Sequence, residues 1–132
     1  MLALFYLAIS APLLAINLGF LLWELAGILI VISGLIGLNW KSFSVFPEPR
    51  PDGKLVTTGI YAFIRHPMYA GILAISSVLV LDFPSWPRAL ALLILTTVFL
   101  IKIQKEERWL ADQYPESKDW RDKTDRLIPF LW

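Results

Sequence analysis

The 132-residue chain has no cysteine, a single histidine and few charges, and each scarcity removes a class of function. Without cysteine there is no disulfide framework, zinc–thiolate site or thiol nucleophile. One imidazole is too little for a metal or haem centre, which recruits several ligands, so no metal is expected. A net charge of +1, from 12 Lys/Arg against 11 Asp/Glu, supplies no basic stripe for nucleic acid. No Gly-x-Ser-x-Gly turn supports serine hydrolase chemistry. The chain is 57% hydrophobic and 17% charged, where a soluble domain shows about 45–50% and about 25%. That balance excludes a disordered tail. It points to one small integral membrane domain over residues 1–132.

The charges are placed unevenly. Residues 1–40 hold a single one, Glu24, and the charges crowd beyond Ile101. A bilayer core about 30 Å thick calls for roughly 20 apolar residues per helix. Residues 2–38 are too long for one span and fit two, broken near Asn17-Leu18-Gly19. The spans are predicted at about 2–16 and 20–40, with a second pair at about 67–81 and 88–101 and a tail over 102–132. Asp82-Phe83-Pro84-Ser85-Trp86-Pro87 forms the turn between the second pair, since two prolines and an Asp do not continue a helix. The first segment lacks the basic start of a signal peptide and is read as a mature helix. The fold class is therefore all-α, a membrane bundle of four helices in two hairpins with an interfacial C-terminal segment.

With four spans, loop 41–66 and the tail share one side, and 11 of the 12 basic residues lie there, leaving Arg88 opposite. The positive-inside rule makes that side, and both termini, cytoplasmic; in a bacterium the membrane would be the inner one. Trp23 and Trp40 would stand about 25 Å apart along a helix, the spacing of two interfacial belts. Gly27, Gly34 and Gly37 fall on or near one face of the second span. Close helix packing is the plain reading; the same face could serve an oligomer. Pro47 to Gly53 reads as a stiff extended connection ending in a Pro-Asp-Gly turn.

Two polar clusters adjoin the apolar segments. In the first, Pro67 suits the opening position of the third span, which makes His66 the cap with Arg65 just outside. A helix start offers free N–H groups and partial positive charge to a carboxylate or phosphate, and Arg65 could add a bidentate grip. Tyr69 lies one turn in, and Gly71 permits a close approach. Anchoring of Arg65 and His66 at the headgroups is the plainer alternative. The second cluster is Lys102, Lys105, Glu106, Glu107 and Arg108. Adjacent carboxylates lie about 100° apart on a helix, so at most one is expected to point fully into a pocket. The other would face water or pair with Lys102, four residues from Glu106.

Leu55-Val56-Thr57-Thr58-Gly59-Ile60-Tyr61, Arg65-His66-Pro67-Met68-Tyr69-Ala70-Gly71, Glu106-Glu107, Tyr114-Pro115-Glu116 and Arg126-Leu127-Ile128-Pro129 follow one another in this order. On them the chain resembles the isoprenylcysteine carboxyl methyltransferase family and its bacterial relatives, a group similar to phospholipid methyltransferases. It differs at Ile60, where proline is common, at Ser117 and Trp120, where tyrosines are common, and at Asp125, where proline is frequent. The resemblance implies a methyltransferase using S-adenosylmethionine, bound at the cytoplasmic helix ends. The implied cofactor-binding residues are Tyr61, Arg65, His66, Pro67, Tyr69, Glu106 and Glu107, and the implied catalytic ones Arg65, Glu107 and Arg108. The acceptor is expected to be lipophilic and most simply a carboxylate, already ionised at neutral pH, arriving from the membrane lipids. Phospholipid-amine or thiol methylation, with Glu107 or His66 as base, is the alternative, beside a non-catalytic interaction or lipid-binding subunit of the same fold. A cavity with Arg65, His66 and Glu107 converging would favour the enzyme, and ion pairs filling that space the subunit.

Overall fold

A computed structural model describes residues 2–10, 15–37 and 55–128. Its helices are α1 (Leu2–Ser10), α2 (Leu18–Gly37), α3 (Pro67–Asp82), α4 (Trp86–Gln113) and the short α5 (Lys118–Lys123), with 3-10 turns at Gly59–Ala62 and Pro115–Ser117. Among the described residues extended pairing is limited to one parallel bridge, Ile64 with Asp125. The architecture is all-α.

The boundaries follow local chemistry. Asn17 opens α2 by accepting from Gly19 N through its side chain at 2.9 Å and from Leu21 N through its carbonyl at 2.8 Å, the pairing of a helix cap. α1 is described only to Ser10, and Ala15 and Ile16 lie outside the helix expected to reach them; positions 38–40 of the predicted second span fall outside the described residues. The turn between the second pair is where the prolines put it: Ser85 caps α4 by accepting from Arg88 N at 3.4 Å, and Pro87 fits the first helical turn. α4 runs on to Gln113, well past the predicted 101, because Lys, Gln, Glu, Arg, Leu and Ala all favour helix after the apolar run stops.

Polar and apolar groups are arranged inside out. Leu7, Leu79, Ala91, Leu95 and Phe99 form a small core joining α1, α3 and α4. Large apolar side chains face outward, Leu18 at 70%, Ile36 at 79% and Trp86 at 80% exposure, while Glu24 on α2 is 2% exposed. α2 and α4 are long and apolar enough to cross a membrane, and most of each apolar stretch is turned outward. That exposure separates them from core helices of a soluble protein. α3 is apolar but shorter, at 16 residues.

α2 packs on α3 through glycine. A Cβ at Gly71 would lie 2.6 Å from the Gly27 carbonyl oxygen and 2.6 Å from a Val31 methyl, and one at Gly34 would meet Met68 at 3.0 Å and Pro67 at 3.2 Å. Gly37 faces the Tyr61 ring. The glycine face offered to an oligomer in the sequence reading is thus covered within the chain.

At one end of the bundle Ala15 N donates to Glu24 Oε2 at 3.0 Å and Ile16 N to Asp82 Oδ2 at 2.9 Å. There Arg88 donates to the Phe83 carbonyl at 2.6 Å and to Ser10 through both Oγ and the carbonyl. Arg88 and Glu107 are separated by about 28 Å of helix rise on α4. The second polar cluster therefore sits at the opposite end.

Candidate functional site

Gly59, at φ +65°, opens the turn that leads into the site, a backbone conformation that costs any residue with a Cβ. Tyr61 follows, buried, its hydroxyl donating to the Gly34 carbonyl at 3.2 Å. Burial pushes its phenol up to about 12. It is spent on α2 and makes no hydrogen bond into the carboxylates. Pro67 opens α3 with His66 as the cap, as the spacing predicted, and its buried ring lies against Gly34.

His66 is 7% exposed and stands between the two glutamates of α4. Its Nδ1 is 3.5 Å from Glu106 Oε2 and its Nε2 3.5 Å from Glu107 Oε1. Neither contact is short enough for a good hydrogen bond, and Nε2 is buried without one. Both glutamates enter the cluster, where the sequence placed one at most: an imidazole with a nitrogen on each side reaches two carboxylates that diverge around a helix. Tyr69 lies almost parallel to the His66 ring, packs on Phe99, and donates its hydroxyl to Glu106 Oε1 at 2.7 Å. Lys102 is not on Glu106; its Nζ stands 5.3 Å from the centre of the Tyr69 ring, a cation over an aromatic face.

Glu107 is the charge node. Arg65 Nε donates to Oε1 at 2.7 Å and Arg126 Nε to Oε2 at 3.1 Å. Burial alone would push its carboxyl up, but the His66 imidazole, the Arg65 guanidinium and the Arg126 charge outweigh that and hold it down at about 2. Ion pairs thus fill the space between Arg65 and Glu107. Arg108 is exposed on α4, and no contact brings it into the cluster.

The C-terminal segment supplies Arg121 and Thr124, which the sequence reading left outside the site. Arg65 Nη1 donates to the Arg121 carbonyl at 2.6 Å, to the Thr124 carbonyl and to Thr124 Oγ1 at 3.1 Å. Trp120 Nε1 donates to the Tyr61 carbonyl at 2.8 Å, and Asp125 N to the Phe63 carbonyl at 3.1 Å. Two departures from the family pattern, Trp120 and Asp125, thus carry bonds into residues 61–63. A proline at 125 has no N–H for its bond.

A buried polar cluster at one end of a helical bundle with an apolar exterior is the arrangement expected of a membrane protein. A sequence model of the isoprenylcysteine carboxyl methyltransferase family matches residues 17–112, and the chain belongs to that family, one of methyltransferases of membrane type. The match takes in Arg65 to Tyr69 and both glutamates; it begins earlier than the motifs quoted above and ends before Tyr114. No curated protein and no solved structure matches the chain.

Proposed function

We propose that the protein transfers a methyl group from S-adenosylmethionine to a lipophilic acceptor at the cytoplasmic membrane interface, with a carboxylate as the acceptor class. The carrying observation is the buried cluster of His66, Tyr69, Glu106 and Glu107, in which His66 Nε2 has only a long 3.5 Å contact with Glu107 Oε1 and no hydrogen bond. A contact of that length is too long for a good hydrogen bond, and a polar ligand could satisfy the nitrogen better. The donor set suits this cofactor: carboxylates for ribose hydroxyls or an ammonium, the positive end of α3 for a carboxylate, and aromatic faces for a ring. The cofactor supplies an electrophilic methyl group on a sulfonium.

The chain's own part is alignment. Tyr69 fixes one oxygen of Glu106, whose side chain stays 23% exposed and reachable. Exposed Arg108, with Lys105 beside it, would hold an anionic acceptor at the surface. A carboxylate acceptor needs no base, so the site has only to orient it and exclude water. An amine or thiol acceptor would need one; Glu107, held at about 2, is a poor proton acceptor at neutral pH, which leaves His66. The four-span topology with both termini cytoplasmic belongs to this proposal, supported by the polar ends of α4.

One observation favours a second reading. Arg65 and Arg126 both pair with Glu107, and a non-catalytic subunit of the same fold would keep the space filled in this way. Titrating S-adenosylmethionine into detergent-purified protein by calorimetry separates the two. Saturable binding weakened at least about tenfold, roughly 1.4 kcal/mol, in His66→Ala and Glu107→Ala is expected. A folded wild type that binds nothing with lipid restored establishes the second reading.

A further inference from the structure

Arg65 looks from the sequence like a free cation waiting for an anion. In the folded chain its side chain is 9% exposed and already committed. Nε donates to Glu107 Oε1 at 2.7 Å, and Nη1 meets the carbonyls of Arg121 and Thr124 and the hydroxyl of Thr124. That hydroxyl is itself locked, donating to the Trp120 carbonyl at 2.8 Å. A bidentate grip on a carboxylate needs two of the three guanidinium nitrogens side by side, and with two spent no free pair remains.

The backbone repeats the connection. Arg65 N donates to the Asp125 carbonyl at 2.8 Å, His66 N to the Arg126 carbonyl at 3.0 Å, and Asp125 N back to Phe63 O at 3.1 Å. Arg126 then closes on the far oxygen of Glu107. The guanidinium therefore touches two distant parts of the chain at once, α4 through Glu107 and the C-terminal segment through two carbonyls. A planar, rigid fork does this; an ammonium, a single point of charge, does not hold the same set.

We propose that Arg65 is a positioning residue, a staple that fixes residues 120–126 across the start of α3 so that this segment forms a wall of the site, and that it does not grip the cofactor carboxylate. The stapling stands on the geometry alone; its effect on the cofactor rests on the methyltransferase reading.

Two measurements on the full chain in detergent test it, with Arg65→Lys, which keeps a cation without the fork, and Thr124→Val, which removes one acceptor. The first is amide hydrogen exchange without any ligand. The amides of residues 120–126 should exchange about tenfold or more faster in Arg65→Lys and by a smaller factor in Thr124→Val, with the core of α4 as protected as in wild type. Unchanged exchange in Arg65→Lys overturns the staple. The second compares calorimetric binding of S-adenosylmethionine and its decarboxylated analogue. A staple weakens both ligands by a similar factor in both variants, leaving their ratio unchanged. A direct grip collapses the ratio in Arg65→Lys and leaves Thr124→Val silent, and that result overturns the proposal. Should wild type bind neither ligand, the functional reading falls and the exchange measurement still decides the staple.

Discussion

Glu107 shows how one side chain can be both strained by its surroundings and rescued by them. It is removed from most of its water, which favours the neutral acid, yet two guanidinium groups and an imidazole hold it ionised. Its folded value of about 2 lies below the ordinary 4.5. A depressed carboxylate contributes stability that is fully present above the unfolded value and is lost as pH falls through the folded one. Wild type should accordingly be more stable than Glu107→Gln at pH 7 by on the order of 2 kcal/mol. The gap should close between about pH 4.5 and about 2. Thermal melts followed by tryptophan fluorescence across that range check it, and a gap that stays constant with pH rules the ionic explanation out.

At the scale of elements, α3 carries the site and α2 fixes α3. The backbones meet at Gly27 and Gly71, where an added methyl on Gly71 would sit 2.6 Å from a carbonyl oxygen. Gly71→Ala should therefore force the helices apart and lower the melting temperature by several degrees, in the range expected for overpacking of about 1–3 kcal/mol. Gly59→Ala meets no atom within 4 Å and is costly only through its positive φ, so the smaller loss is expected there. Melting the two variants side by side tests the ranking. This part of the fold was legible because its signals are local: the break near Asn17-Leu18-Gly19, Pro67 as a first helical residue, the Asp82-to-Pro87 turn, the glycine spacing. The commitment of Arg65 to Arg121 and Thr124 was not. A single parallel bridge between Ile64 and Asp125 joins segments separated by the whole of α3 and α4, and neither segment carries a periodicity that names the other. The pairing of both glutamates with His66 was missed for a related reason: helix geometry says where the side chains diverge, not that one ring spans the divergence.

The whole molecule has two unlike ends. At one, Arg88, Ser10, Asp82, Ile16, Ala15 and Glu24 tie the turns together through hydrogen bonds that leave little to recruit a ligand. At the other, the described segments gather the imidazole, the carboxylates and the stapled C-terminal segment. Between them the surface is apolar and the buried Glu24 carboxylate accepts from a backbone amide, the pattern a bilayer demands because unsatisfied polar groups find no water there. Polarity of this kind gives the protein a direction, which becomes arithmetic once it is reconstituted. A charged, membrane-impermeant cofactor added outside sealed vesicles reaches only the chains whose site end faces outward. With random insertion, binding should saturate near half the protein present and double when the vesicles are permeabilised. Full saturation of sealed vesicles would mean that the cofactor has access from both faces.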